Sequence, residues 1–359
     1  MPGAAQHLPV REQLSQERGI DLDIFQCASC GLVQTVHEPV PYFREVIRAA
    51  AFSDEMKAFR RQQFASFVQR YGLQGKRLLE IGCGRGEYLA LFAEAGVSAH
   101  GLEYGAAAVE DCLAQGLDAM QGFIEQPQQT LPCAPSDAFA TLNFLEHWPD
   151  PRASLRGIAN NLREGAIGLV EVPNFDMILR HNLFTEFISD HICYYTRETL
   201  TTLLQICGFE VVSCDAVWHD YILSAVVRKR SSCDISGFSA SRASLQQALD
   251  GFIKRHAAQG VAIWGAGHQS LATIALLELA DHIRYVVDSA PFKQDKFTPA
   301  SHLPIVAPEH LKREPVGAII VMAASYSDEV ARTIRQRWGN AFHLAILREH
   351  GLEIVPSGT

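Results

Sequence analysis

The segment LLEIGCGRGEYLALFA (78–93) runs an apolar strand into Gly82, Gly84 and Gly86 and straight out into a helix, and it constrains the fold more than any other stretch of the chain. Glycines at a strand-to-helix turn allow positive φ and let a ligand approach the backbone, while the helix N-terminus favours negative charge. From Lys76 onward the same alternation continues. RLLEIG is followed by a helical pattern at 87–95, then SAHGLE, a helix at 105–115, DAMQGF, DAFATLN, a helix at 151–163 and AIGLVEV. Short apolar strands alternating with helices imply a parallel sheet covered on both faces.

A second series begins after a polar bridge, SSCDISGFSASRAS (231–244), and a helix near 245–258. It runs VAIWGAG, a helix at 269–279, IRYVVD, AIIVMAA and a helix near 327–337. The expected fold is α/β, with two tandem Rossmann-like doubly wound domains. Three regions follow: 1–70, with a cysteine pair and a helix from about Ser53 to Tyr71; 71–230, carrying the first glycine loop; and 240–359, carrying the second.

Composition narrows the function. With 48% hydrophobic and 20% charged residues the chain is neither disordered nor fibrous. A net charge of -9 without a long Lys/Arg cluster makes nucleic acid an unexpected partner. No run of about 18 uncharged apolar residues is present and the N-terminal stretch is polar, so a cytoplasmic protein without a membrane partner is expected.

The acidic residues separate two readings of the glycine loop. Glu80 stands in the strand end, where a carboxylate repels a pyrophosphate and suits a cationic amino group. Glu103 closes the next strand about 20 residues on, placed to accept hydrogen bonds from a ribose diol. Together with DAMQGF (118–123), DAFATLNFLEHWPDP (137–151) and GLVEVPN (168–174), these features resemble the class I S-adenosylmethionine (SAM) methyltransferases. The resemblance implies SAM as cofactor, held by Glu80, Gly82, Gly84, Gly86, Glu103, Gly122, Phe123, Asn143 and Glu146.

After the fifth strand, EVPNFDMILRHNLFTEFISDHICYYT (171–196) is dense in titratable groups where ligands reach the open end of a sheet. His191 is the candidate base, with Asp190 or Glu186 nearby to tune it. Its alternative is a structural histidine in a lid. His147 fits a packing or cofactor-wall position, and Asn174 and His181 are substrate contacts or loop caps.

The order of parts is similar to the sugar-nucleotide C-methyltransferases: a cysteine-pair N-terminal domain, a SAM domain with EVP after its fifth strand, a histidine motif before Tyr/Phe, and a C-terminal Rossmann-like domain. SDHICYY (189–195) aligns with the family's HEH segment. Ser189 and Asp190 replace its first histidine and its glutamate. The resemblance implies that His191 removes a proton alpha to a keto group of a small-molecule acceptor, with Asp190 and Tyr194 beside it. It also implies that Tyr42 reaches towards the acceptor. O- or N-methylation of another metabolite, and a nicotinamide-dependent oxidoreductase built on the second loop, are the alternatives.

Cys27-Ala-Ser-Cys30-Gly has the spacing of half a zinc site. No cysteine precedes it, so zinc would need His7, His37 or a partner chain, and a packed turn without metal is the expected state. In the second loop Gly265 and Gly267 are followed by Ser270, and Asp288 closes the next strand as a ribose-binding acid would. Read alone, these residues suggest NAD. Beside the first domain they resemble the C-terminal domain of the same family, where Lys293 and His268 could meet a phosphate. The sequence leaves monomer and homo-oligomer equally open.

Overall fold

The computed structural model describes residues 1–6, 8–45 and 53–356, and the chain divides into two units, Met1–Ser232 and Cys233–Thr359. In the first, β1 (Ile24–Gln26) and β2 (Val33–Thr35) form an antiparallel pair. Helix α1 (Asp54–Tyr71) starts at Ser53, whose Oγ accepts the Met56 N–H. It stops at Gly72, which takes the left-handed conformation (φ +62°) that favours glycine at a helix end.

The Rossmann-like elements follow: β3 (Arg77–Ile81), α2 (Glu87–Glu94), β4 (Ser98–Glu103), α3 (Ala106–Ala114), β5 (Asp118–Gln121), β6 (Ser136–Leu142), α4 (Pro151–Asn160) and β7 (Leu162–Pro173). Then come α5 (Phe175–His181), β8 (Cys193–Tyr194), α6 (Arg197–Ile206), β9 (Phe209–Val217) and β10 (Ile222–Lys229). The sheet order is β5-β4-β3-β6-β7-β10-β9. Strands β3 to β7 pair in parallel, and β10 is antiparallel to both its neighbours.

Strand alternation sets the two helix layers. Leu79, Ile81, Phe139 and Val170 face one core, while Leu78, Ala138, Ala140 and Leu169 face the other. Phe64, Phe67 and Val68 of α1 belong to that second core, and Phe64 stacks on Phe92 of α2 with ring centroids 3.9 Å apart. Residues 1–70 lie in the same compact unit as the glycine loop, Met1–Ser232, with α1 packed on its sheet. The helix expected at 151–163 ends at Asn160, and Leu162 already begins β7.

The second unit contains α7 (Gly237–His256), β11 (Val261–Trp264), α8 (His268–Leu276), β12 (Val286–Val287), β13 (Lys296–Phe297), β14 (Pro304–Val306), β15 (Ala318–Val321), α9 (Ser327–Trp338), β16 (His343–Arg348) and β17 (Gly351–Val355). Its sheet runs β13-β14-β12-β11-β15-β16-β17, parallel except for the two edge strands. Helix α7 begins inside the polar bridge. Its first two turns are exposed and carry no apolar period, so its start was hidden to a pattern reading. Among the described residues no helix is long and apolar enough to cross a membrane.

Candidate active site

The carboxyl ends of β3, β4, β6 and β7 bring the singled-out residues of the first unit to one edge of its sheet, where open α/β sheets bind ligands. Gly82, Gly84 and Gly86 have φ of 69°, 58° and 90°. A Cβ on Gly82 would stand 2.4 Å from the Phe144 ring, so the loop after β6 packs directly on the glycine loop. Glu103 is buried, with Oε2 accepting the Gly84 N–H and Oε1 the Gly105 N–H, each at 2.9 Å. A carboxylate has about four acceptor positions, so each oxygen keeps one for a vicinal diol. Glu80 is fully buried in β3 between Gly101 and Ala140.

Gly122 donates its N–H to the Glu103 carbonyl at 2.8 Å. Phe123 stands edge-on to Phe43, Phe144 and Trp148, with centroids 5.9, 6.0 and 6.1 Å away. Asn143 takes the left-handed conformation at φ 50° and donates its N–H to the Glu171 carbonyl, which starts the turn that buries Glu146 and His147. A diol-accepting acid, a glycine-lined turn, a buried carboxylate and an aromatic wall together fit the adenosyl and amino-acid parts of SAM.

Beyond β7 the structure brings His191, His147 and Glu146 together. The two imidazole centroids are 4.8 Å apart and edge-to-face. His147 Nδ1 lies 2.7 Å from the Asp190 carbonyl oxygen, so the N–H belongs there, and Nε2 turns its lone pair towards Glu146 Oε1 at 3.8 Å. Burial pushes His147 down to about 4, against the pull of the Asp190 carbonyl and carboxylate. Burial and the neighbouring His147 push His191 down to about 3. Both rings are therefore neutral near pH 7, the form that accepts a proton.

These two histidines set an acid sensitivity. In the unfolded chain each titrates near the ordinary 6.5, well above its folded value. Stability is then complete above pH 6.5 and falls as pH drops from 6.5 towards 4, because the unfolded chain takes up protons that the folded one does not. The slope approaches about 1.4 kcal/mol per pH unit per histidine. Thermal melts from pH 7.5 to 5 are expected to show a falling Tm, with a shallower fall in His191→Gln; equal slopes in the two proteins would contradict this.

Asp190, Glu186, Tyr194 and Asn174 each have partners of their own. Asp190 does not tune His191 through its carboxylate, which accepts from the Ala5 N–H (2.8 Å), the Tyr42 hydroxyl (3.0 Å) and the Ser189 hydroxyl (3.2 Å). Glu186 accepts from the Tyr221 hydroxyl. The Tyr194 hydroxyl is occupied by Ile188, accepting its N–H at 3.0 Å and donating to its carbonyl at 3.1 Å, and burial pushes it up to about 12. Asn174 is the N-cap of α5: its Oδ1 accepts the Met177 N–H and its Nδ2 donates to Asp220. This spends the amide on loop backbone rather than on an acceptor. His181 lies exposed at the far end of that helix.

The N-terminal segment is bound to this site through a strand pairing that the sequence did not show. Strand β8 pairs with β2 through Val33↔Tyr194 and Gln34↔Cys193, extending the small sheet to three strands. Tyr42, as noted, reaches Asp190, next to the His191 loop. Cys27 and Cys30 bracket a tight turn closed by the Gly31 N–H on the Cys27 carbonyl at 2.9 Å. The Cys30 and Ser29 amides hold the Cys27 thiol below its ordinary value. Among the described residues no third histidine, cysteine or carboxylate joins the pair. His37 Nε2 accepts the Asp23 N–H instead, and His7 lies outside the described residues. Glu146, His147 and His191 place their ligand atoms within 4.8 Å of one another. Two ligands on one ion at bonds of roughly 2.1 Å stand at most about 4.2 Å apart, so this set would have to close further to hold a metal.

In the second unit Asp288 sits over its glycine loop as Glu103 does over the first, but more of it is occupied. Its Oδ2 accepts the Ala266 N–H at 2.7 Å and Lys293 Nζ at 3.0 Å, and its Oδ1 accepts the Ala290 N–H at 2.8 Å. Burial opposes the charge, but the amides and Lys293 outweigh it and hold the carboxyl below its usual range. Lys293 is thus an internal ion-pair partner here. Gly265 (φ 114°) is required by packing, since its Cβ position lies 2.6 Å from the Met322 carbonyl oxygen.

Residues 56–214 match the family described as a methyltransferase domain. The chain is a SAM-dependent methyltransferase. Residues 232–346 of the methyltransferase match a second family, the C-methyltransferase C-terminal domain. The enzyme is 24% identical over 344 residues to the C-methyltransferase NovU of Streptomyces niveus, covering 86% of this chain and 81% of that protein. It is 33% identical over 103 residues to a ubiquinone biosynthesis O-methyltransferase of Pseudomonas aeruginosa, spanning 27% of this chain and 44% of the relative. Among solved structures, magnesium protoporphyrin IX methyltransferase of Synechocystis PCC 6803 with bound S-adenosylhomocysteine (SAH) aligns at a TM-score of 0.41 and 14% identity, over 53% of this chain and 91% of that one.

Proposed function

We propose that the methyltransferase adds a methyl group to a carbon alpha to a ketone on a small molecule such as a nucleotide-linked keto sugar, with His191 as the general base. The observation that carries this reading is a pair of neutral imidazoles, the buried His147 and the half-buried His191, beside Glu146 at the sheet edge that also holds the glycine loop and Glu103. Oxygen acceptors need little more than loss of a hydroxyl proton, whereas a carbon acceptor needs a positioned base.

Glu103, fixed by the Gly84 and Gly105 amides, takes the ribose hydroxyls, and the buried Glu80 suits the amino end of the cofactor. Gly122 and Phe123 border the adenine side. Bound SAM supplies a methyl group made electrophilic by its sulfonium. His191 accepts the proton from the acceptor carbon. The charge that then develops on the imidazole pair is offset by the Glu146 carboxylate, which stands 3.8 Å from His147 Nε2. The Asp190 carbonyl keeps His147 in the tautomer whose lone pair faces that site. Placement of both reactants against one rigid sheet edge provides the remaining acceleration.

The test is to supply SAM with a 13C-labelled methyl group and a nucleotide-linked keto sugar, and to read the product by NMR. A methyl carbon directly bonded to a ring carbon is expected. A methoxy or N-methyl product would replace this reading with the oxygen or nitrogen alternative.

A further inference from the structure

The turn Tyr42–Glu45, closed by the Glu45 N–H on the Tyr42 carbonyl at 2.8 Å, lies against the ends of β4 and β5. Its Arg44 guanidinium stands 4.2 Å from the Phe43 ring centroid, 5.4 Å from Tyr104 and 5.6 Å from Phe123. Its Nε and Nη2 are fixed by Glu125, with Nε to Oε1 at 2.9 Å. Tyr104 directly follows the ribose-binding Glu103, and Phe123 directly follows Gly122, whose N–H is bonded to the Glu103 carbonyl. Glu45 Oε2 and Glu103 Oε1 both lie within 3.6 Å of the point where a Cβ on Gly105 would stand. The three aromatic rings around Arg44 therefore border the same end of the cofactor groove, beside the ribose acid.

We infer that Arg44 is a cofactor-binding residue, the closing wall of the adenine side, stacking its guanidinium on the base while Glu125 holds it in plane. A guanidinium is flat, permanently charged and weakly hydrated, so it stacks well on an aromatic or purine face at a half-exposed rim. A core-packing role alone would not require a charge here, because Phe43 already meets Phe123 edge-on. The ion pair with Glu125, exposed as it is, contributes little to stability by itself. Its use is to orient the guanidinium plane. The same turn carries Tyr42, which bonds the Asp190 carboxylate, so the segment that closes the adenine side also touches the loop of His191.

The experiment is calorimetric titration of the full-length protein with SAH and, separately, with 5′-methylthioadenosine, which keeps the adenosine half and lacks the amino-acid end. R44A is expected to weaken both ligands by about tenfold and by the same factor. R44K, which keeps the charge and loses the plane, is expected to recover only part of that loss. Ligand-free melting temperatures, recorded alongside, show whether the fold is intact; should R44A fail to fold, R44K decides. SAH affinity within twofold of wild type in a folded variant, or weakening of SAH without weakening of methylthioadenosine, would overturn the proposal.

Discussion

Replacing His191 by alanine is expected to lower kcat by roughly two to four orders of magnitude, the usual contribution of a positioned acid or base, and to leave SAH binding as in the wild type. The separation is expected because His191 lies on the loop after α5 and packs against His147, whereas most of the proposed cofactor residues lie at the ends of β3, β4 and β5 or in the turns that follow them. The paired measurement is single-turnover methyl transfer and SAH calorimetry on His191→Ala and His191→Gln. A kcat within tenfold of wild type in both variants places the base elsewhere.

Arg60→Ala is expected to have the largest effect on stability. Arg60 and Glu171 form an ion pair with 1% and 0% of their side chains exposed. Glu171 Oε1 also accepts from Gln63 Nε2 and from the Ser224 hydroxyl, so the carboxylate is fixed between α1, β7 and β10. Alanine leaves that buried charge without its cation, at a cost of about 3–5 kcal/mol. For a unit of this size, at about 2–4 °C per kcal/mol, the loss in Tm is roughly 6–20 °C. The double variant Arg60→Met with Glu171→Gln removes both charges and is expected to recover much of the loss, which separates charge burial from simple loss of packing. The Glu171 carbonyl accepts the Asn143 N–H that begins the His147 turn, so Arg60→Ala also loosens the candidate site.

The parts of the fold that were legible in the sequence are the local ones. The glycine loop could be read because strand, turn and helix are consecutive and each glycine adopts positive φ, as its turn demands. The helix on 54–71 could be read from the apolar spacing of Met56, Phe59, Phe64 and Phe67. The β9–β10 hairpin escaped because its turn is built from Trp218, His219 and Asp220, all at positive φ and none a turn signal of the glycine or proline kind. The site's acceptor half was hidden for a different reason. Adjacency suggested that Asp190 serves His191, yet successive residues of an irregular loop face different ways, and Asp190 turns to Tyr42 and Ala5. His147 gained weight only once the fold placed its Nδ1 on a carbonyl 43 residues away. The pairing of β2 with β8 joins segments that no local pattern connects.

The most direct measurement of the central claim separates proton removal from methyl transfer. The enzyme is loaded with SAH, which cannot donate a methyl group, and incubated in deuterated water with a nucleotide-linked keto sugar, while NMR follows the proton alpha to the ketone. The account predicts enzyme-dependent exchange at one carbon and its loss in His191→Ala. Exchange that persists in the variant, or a wild-type enzyme that methylates this sugar without exchanging that proton, would contradict it.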